Sequence, residues 1–160
     1  MQISKIQNTY YPNYRSVNIN FQGGKIIPTQ QQWSELQVFM HHIYEYKKGL
    51  RNLILTTEKE SNRNVIVNRL ESEKKNIKKA AKEYGSNITD LDYYIQNISD
   101  EKINVFFGNP QSIAVIKSFN QPKLSEYTPE QDFILGTLLG YDKIQQCQRY
   151  LKFISNKKTQ

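Results

Sequence analysis

The chain has 160 residues, 38% of them hydrophobic, with a net charge of +7 and one cysteine. That length supports a single core, since a domain of this size buries roughly 70% of the surface its unfolded chain exposes, and Cys147 has no internal disulfide partner, which fits a reducing compartment. The first 25 residues lack the apolar run of a secretory signal and no stretch approaches the ~20 apolar residues of a membrane span, so a soluble, cytoplasmic chain with no membrane association is expected.

Residues 1–28 are rich in Asn, Gln and Tyr, punctuated by Pro12, Gly23, Gly24 and Pro28. Such a stretch offers too little apolar surface to offset the entropy of ordering, so a flexible tail is expected, with a short extended stretch over residues 16–21. Thr29 is placed to cap a helix in which Trp33, Leu36, Phe39 or Met40, Ile43, Tyr46 and Leu50 recur every three or four residues. Lys47 and Lys48 suit its last turn and Gly49 the left-handed residue that ends it. Residues 50–57 then read as a strand covered on both sides, with Leu53 and Leu55 on one face and Ile54 on the other.

After a polar turn over residues 58–62, Ser61 or Asn62 can start a second helix through Val65, Ile66, Leu70, Ile77, Ala80, Ala81 and Tyr84, closed by Gly85. Its middle, ESEKKN, has no apolar residue, which predicts an exposed or bent segment. DLDYYIQNI and KINVFFG read as a strand hairpin, with Ile103, Val105 and Phe107 on one face and Phe106 on the other. Asn109 and Pro110 are a cap and first position for a helix carrying Ile113, Ala114, Ile116 and Phe119, ended by Pro122. Thr128, Pro129 and Gln131 spell a capping box for a long carboxyl-terminal helix, in which Gly136 and Gly140 either admit a close neighbour or, at Gly140, break it into two. The sum is an α+β domain over residues 29–155: a mainly antiparallel three-stranded sheet with a β-α-β-β-α unit, packed with helices, and a frayed end over residues 156–160.

Four places could carry chemistry. In FMHHIYEYKKG, helical spacing groups His42, Glu45 and Tyr46 on one face with His41 beside Glu45. A metal site needs three or four converging ligands, and adjacent histidines point about 100° apart on a helix, so His42 and Glu45 fall short unless Cys147 or Asp132 joins them. A carboxylate-paired histidine at a partly buried helix end is the favoured reading, with His41, His42, Glu45 and Cys147 kept as weak catalytic candidates. Tyr44, Tyr46 and Arg51 are weak binding candidates beside them. Cys147, in the middle of an apolar helical stripe, is expected to be buried and inert.

Charge is concentrated rather than spread. Residues 1–25 hold three basic residues and no acidic one, and residues 63–82 hold seven basic residues against Glu71 and Glu73. Lys74, Lys78 and Lys82, flanked by Lys75 and Lys79, make one helix face cationic, either as a solvated surface or as a docking site for an acidic protein or nucleic acid. FFGNPQS, at a strand-to-helix turn, could hold an anion but has no Gly-x-Gly-x-x-Gly or Gly-Lys-Ser/Thr pattern. No cofactor is implied by any motif.

Three segments in order, FMHHIYEYKKGLRNLILTT, INVFFGNPQSIAVIKSF and LSEYTPEQDFILGTLLGYDKIQQCQRYLK, resemble the bacterial DUF2023 family over residues 38–152. This chain departs from the family pattern in its amino-terminal tail and in a longer lysine-rich connection, EKKNIKKAAKEYGSN. The family has no established activity, so the resemblance sharpens the fold expectation and supplies no mechanism. It implies a neighbourhood with flavodoxins, acidic electron carriers for which a basic accessory protein would be a sensible partner. The leading expectation is a non-enzymatic binding domain acting on such a carrier. The alternatives are a metal or catalytic protein built on His41, His42 and Glu45, and nucleic-acid binding through the lysine face.

Overall fold

A computed structural model describes residues 28–157. The expected tail and the last three residues lie outside the described residues. Thr29 caps the first helix with a full capping box: its hydroxyl accepts from the Gln32 amide, and the Gln32 side chain accepts from the Thr29 amide. The helix expected through residue 48 is divided at Leu36 into α1 (Gln30–Glu35) and α2 (Gln37–Lys47). Glu35 is bound to Lys59 Nζ at 2.8 Å and to Asn62 Nδ2 at 3.0 Å. Those bonds tie the end of α1 to residues 59 and 62, and the axis breaks one residue on.

Strand β1 (Leu53–Lys59) begins and ends later than its apolar run suggests, because pairing continues through Glu58 and Lys59. Helix α3 (Arg63–Tyr84) is followed by β2 (Asp92–Asn97), β3 (Lys102–Gly108) and α4 (Pro110–Ser118). The sheet order is β1-β3-β2, antiparallel throughout, with Leu53 opposite Gly108 on one side of β3 and Asp92 opposite Gly108 on the other. Helix α4 stops before Pro122, and Asn120 takes a left-handed φ of 51° just past its end.

Strand β3 is central and buried from Ile103 to Gly108, so its alternate side chains feed two cores. On one face Ile103, Val105 and Phe107 join Ile54, the α2 residues Phe39, Ile43 and Tyr46, and the α3 residues Val65, Ile66, Leu70 and Ile77. Phe39 meets Phe107 edge-on at 5.6 Å. On the other face Phe106 and Leu53 pack with Ile113 and Ile116 of α4 and with Leu135 and Leu139 farther along the chain. Gly108 is required where β3 ends: its φ is 152°, and a Cβ there would collide with the Asn52 carbonyl oxygen.

The polar middle of α3 is continuous helix and does not face water throughout. Glu73 is 5% exposed and is held by Lys47 Nζ at 2.8 Å and Arg69 at 2.5 Å, so an ion triad locks α2 onto α3 where an apolar contact is missing. The carboxyl-terminal region is two helices, α5 (Pro129–Leu138) and α6 (Lys143–Lys157), separated at Gly140 with φ 79°. Both roles suggested for its glycines are used. Gly140 makes the break, and the bare backbone of Gly136 is where the Gln146 side chain lies as α6 folds back along α5.

Candidate functional site

Glu45 is the hub of the histidine stretch. Its Oε2 accepts from His42 Nδ1 at 2.8 Å and lies 3.5 Å from Arg51 Nε, while its Oε1 is 4.0 Å from His41 Nε2. Burial pushes the carboxyl upward, but the His42 hydrogen bond and the Arg51 charge outweigh it and the net shift is downward from 4.5. Glu58 on β1 shifts the other way, raised by burial against a hydrogen bond from Thr56. The cluster is a carboxylate gathering one arginine and two imidazoles, an arrangement that orders a helix end.

Cys147 and Asp132 do not reach it. Helix α2 covers the sheet face carrying Ile54 and Phe107, whereas α5 covers the opposite face with Leu135 and Leu139, and Asp132 is bound to Arg149 at 2.7 Å. Among the described residues no three His, Cys, Asp or Glu side chains converge as a metal ion would need. Cys147 also corrects the expectation of burial, for it is exposed. Because Gln146 occupies the notch at Gly136, the apolar stripe of α6 turns outward, leaving Ile144 66% and Leu151 59% exposed.

Tyr46 is a core residue, 1% exposed, with its hydroxyl donating to the Asp90 carbonyl at 2.6 Å. Burial raises that hydroxyl above its ordinary range. Tyr44 is on the surface, edge-on to Tyr84 at 5.4 Å with Lys48 Nζ 4.7 Å over its ring. The turn at FFGNPQS is already satisfied: the Asn109 side chain accepts from the Gln111 amide at 2.9 Å and the Ser112 amide at 3.4 Å, occupying the donors an anion would use.

The lysine face of α3 gathers the exposed Lys74, Lys75, Lys78, Lys79 and Lys82. Lys74 is drawn to Asp92 at 3.2 Å, and Asp92 also binds Lys117 at 3.1 Å. Burial raises the Asp92 carboxyl, but these cations bring it below its ordinary 3.8. Lys75, Lys78, Lys79 and Lys82 are exposed and make no ion pair among the described residues. At 100° per residue they span about 100° of the helix, nearly opposite the buried positions Leu70, Glu73, Ile77 and Ala80. The two arginines of α3 are already engaged, Arg63 by Glu60 at 2.6 Å and Arg69 by Glu73. The solvent side therefore presents lysines as its cations, beside the exposed Asn68, Ser72, Asn76 and Glu83, with the Tyr44–Tyr84 pair at the carboxyl end of the helix. That aromatic pair is invisible to local spacing, since its members are forty positions apart.

No helix of the described residues is long and apolar enough to cross a membrane. No curated protein matches the chain. Residues 37–153, most of the chain, match the family described as protein of unknown function, DUF2023, and with its α+β domain the chain belongs to that family.

Proposed function

We propose that this protein is a non-enzymatic binding domain whose docking surface is the lysine face of α3, and whose partner is an acidic protein of the flavodoxin type. One observation carries the reading: Lys75, Lys78, Lys79 and Lys82 are left without acidic partners on a helix whose other cations are matched. Paired cations would be spent on internal structure, whereas unpaired ones raise the local potential and steer an anionic surface toward the helix. That all four are lysines gives point charges without the bidentate fork that arginine offers to carboxylate and phosphate alike, which suits a short-lived encounter. The flavodoxin-type partner comes from the family resemblance, whereas the lysine face lies where this chain departs from the family pattern and rests on charge complementarity alone.

Titration with a flavodoxin at roughly 10 mM and then 150 mM ionic strength tests this, because the screening length falls from about 30 to 8 Å between those conditions. Binding is expected at the lower salt and weakens at the higher. Replacing the four lysines with glutamine removes about 2 kcal/mol at roughly 0.5 kcal/mol each, close to a 30-fold loss of affinity. Unchanged affinity in that variant, or no binding at low salt, overturns the proposal. Binding to a single-stranded oligonucleotide with a steep salt dependence, and not to flavodoxin, replaces it with the nucleic-acid reading.

A further inference from the structure

Helix α6 carries Ile144, Cys147, Leu151 and Ile154 at intervals of three, four and three residues, the spacing of a seam that faces another helix. Its contact with α5 does not use that seam. Gln146 meets Gly136, Arg149 binds Asp132 at 2.7 Å and the Tyr150 ring lies 5.8 Å from Phe133, so α6 runs back along α5 on a different side. Ile144, Cys147 and Leu151 are left exposed and Ile154 partly so, beside a groove of about 530 Å³ whose walls include Phe133, Ile134, Cys147 and Leu151. Of the positions flanking the seam, Gln148, Tyr150 and Ser155 are neutral and Lys143 alone is charged, so little repels a like helix.

We propose that a second copy of this chain docks on this face, α6 lying antiparallel to the partner's α6 about a two-fold axis. Ile144 then meets the partner's Ile154, and Cys147 meets the partner's Leu151. Charge selects both the occupant and its direction. Helix α6 has basic residues and no acidic one, while α5 carries Glu130 and Asp132 and no basic one, so the pair complements itself when turned round. The far end of α6 is level with the start of α5, where the Tyr150 hydroxyl donates to Glu130 at 3.3 Å. Antiparallel packing therefore brings Lys143 to the end that holds the partner's Glu130, whereas parallel packing sets it against the partner's Lys143. The area is small. Helix α6 is about 22 Å long and α5 about 15 Å, and at a helix width of about 10 Å the two offer a little under half of the roughly 800 Å² per partner in a standard interface. Standard interfaces begin at micromolar affinity, so this dimer is weaker, with a dissociation constant on the order of 0.1 mM. The surface is independent of the lysine face proposed for an acidic partner, because α3 and α5 cover opposite faces of the sheet.

Sedimentation equilibrium of the full chain at about 10 µM and about 1 mM brackets that affinity, with monomer expected at the lower concentration and mostly dimer at the higher. The one cysteine reports on the position of the interface. Its alkylation is expected at the rate of an open thiol in dilute protein and about fivefold more slowly at about 1 mM, where about one chain in five remains monomeric. Leu151→Glu alters an exposed position, so the variant should fold with unchanged far-ultraviolet dichroism, stay monomeric at both concentrations and keep Cys147 reactive. Mild oxidation tests the direction, because antiparallel packing offsets the two Cys147 residues by about 6 Å along the axis and no disulfide-linked dimer should form. A monomer at about 1 mM overturns the proposal. So does a dimer that Leu151→Glu leaves intact, since its interface lies elsewhere. Rapid, complete disulfide linkage overturns the antiparallel arrangement, and a protected Cys147 in a species of monomer mass overturns the second copy, because the same chain then covers its own seam.

Discussion

Replacing Glu73 with alanine probes the contact that sets the orientation of α3. The carboxylate is 5% exposed and holds Lys47 at 2.8 Å and Arg69 at 2.5 Å, so the substitution strands two cations at the α2–α3 seam. Removing one member of a fully buried pair costs about 3–5 kcal/mol. Here the Lys47 and Arg69 side chains remain 17% and 31% exposed and can recover part of their hydration. The expected loss is therefore about 2–3 kcal/mol, or roughly 5–10 °C in the melting midpoint for a chain of this size. Urea unfolding followed by Trp33 fluorescence measures it. Lys47→Met in the Glu73→Ala background should recover part of the loss, since it removes a stranded charge. A loss below about 0.5 kcal/mol, the range of ordinary surface substitutions, would refute the claim that this triad replaces an apolar contact.

Three other outcomes follow from the geometry. Glu45 has its carboxyl shifted downward, so its contribution is present above the ordinary 4.5 and is lost as pH falls through the folded value; Glu45→Gln should destabilise by about 1–2 kcal/mol near neutral pH, with the gap to wild type closing in acid, and a gap independent of pH contradicts this. Cys147 should react with a thiol reagent in the native protein nearly as fast as in denaturant, because it is exposed on α6; strong protection means that another chain covers that helix. Gly108→Ala should cost at least about 2 kcal/mol in chemical denaturation, since it forces a Cβ onto the Asn52 carbonyl at a φ of 152°; a neutral result removes the close-approach argument.

The sheet was legible in the sequence because KINVFFG is apolar on both faces, and only a central strand between two layers can bury both. The caps at Thr29, Asn109 and Thr128 were legible because capping is local chemistry, complete within three residues. What periodicity could not show was which of two stripes an amphipathic helix buries. In α6 the choice is made by Gln146 at the Gly136 notch, so the apolar stripe with Cys147 faces outward. Nor could it show that Glu73 is inside, since its partner Lys47 belongs to another helix. The lysine stripe was plain from spacing; that Lys74 is matched and four of its neighbours are not needed the position of Asp92.

The central claim is that the outer side of α3 is where an acidic partner docks. Mapping backbone amide shifts in isotope-labelled protein during titration with flavodoxin at low ionic strength tests it most directly. The account predicts perturbations concentrated at Lys75, Lys78, Lys79 and Lys82, fading as salt is added. Perturbations centred on α6, or none at all, would contradict it.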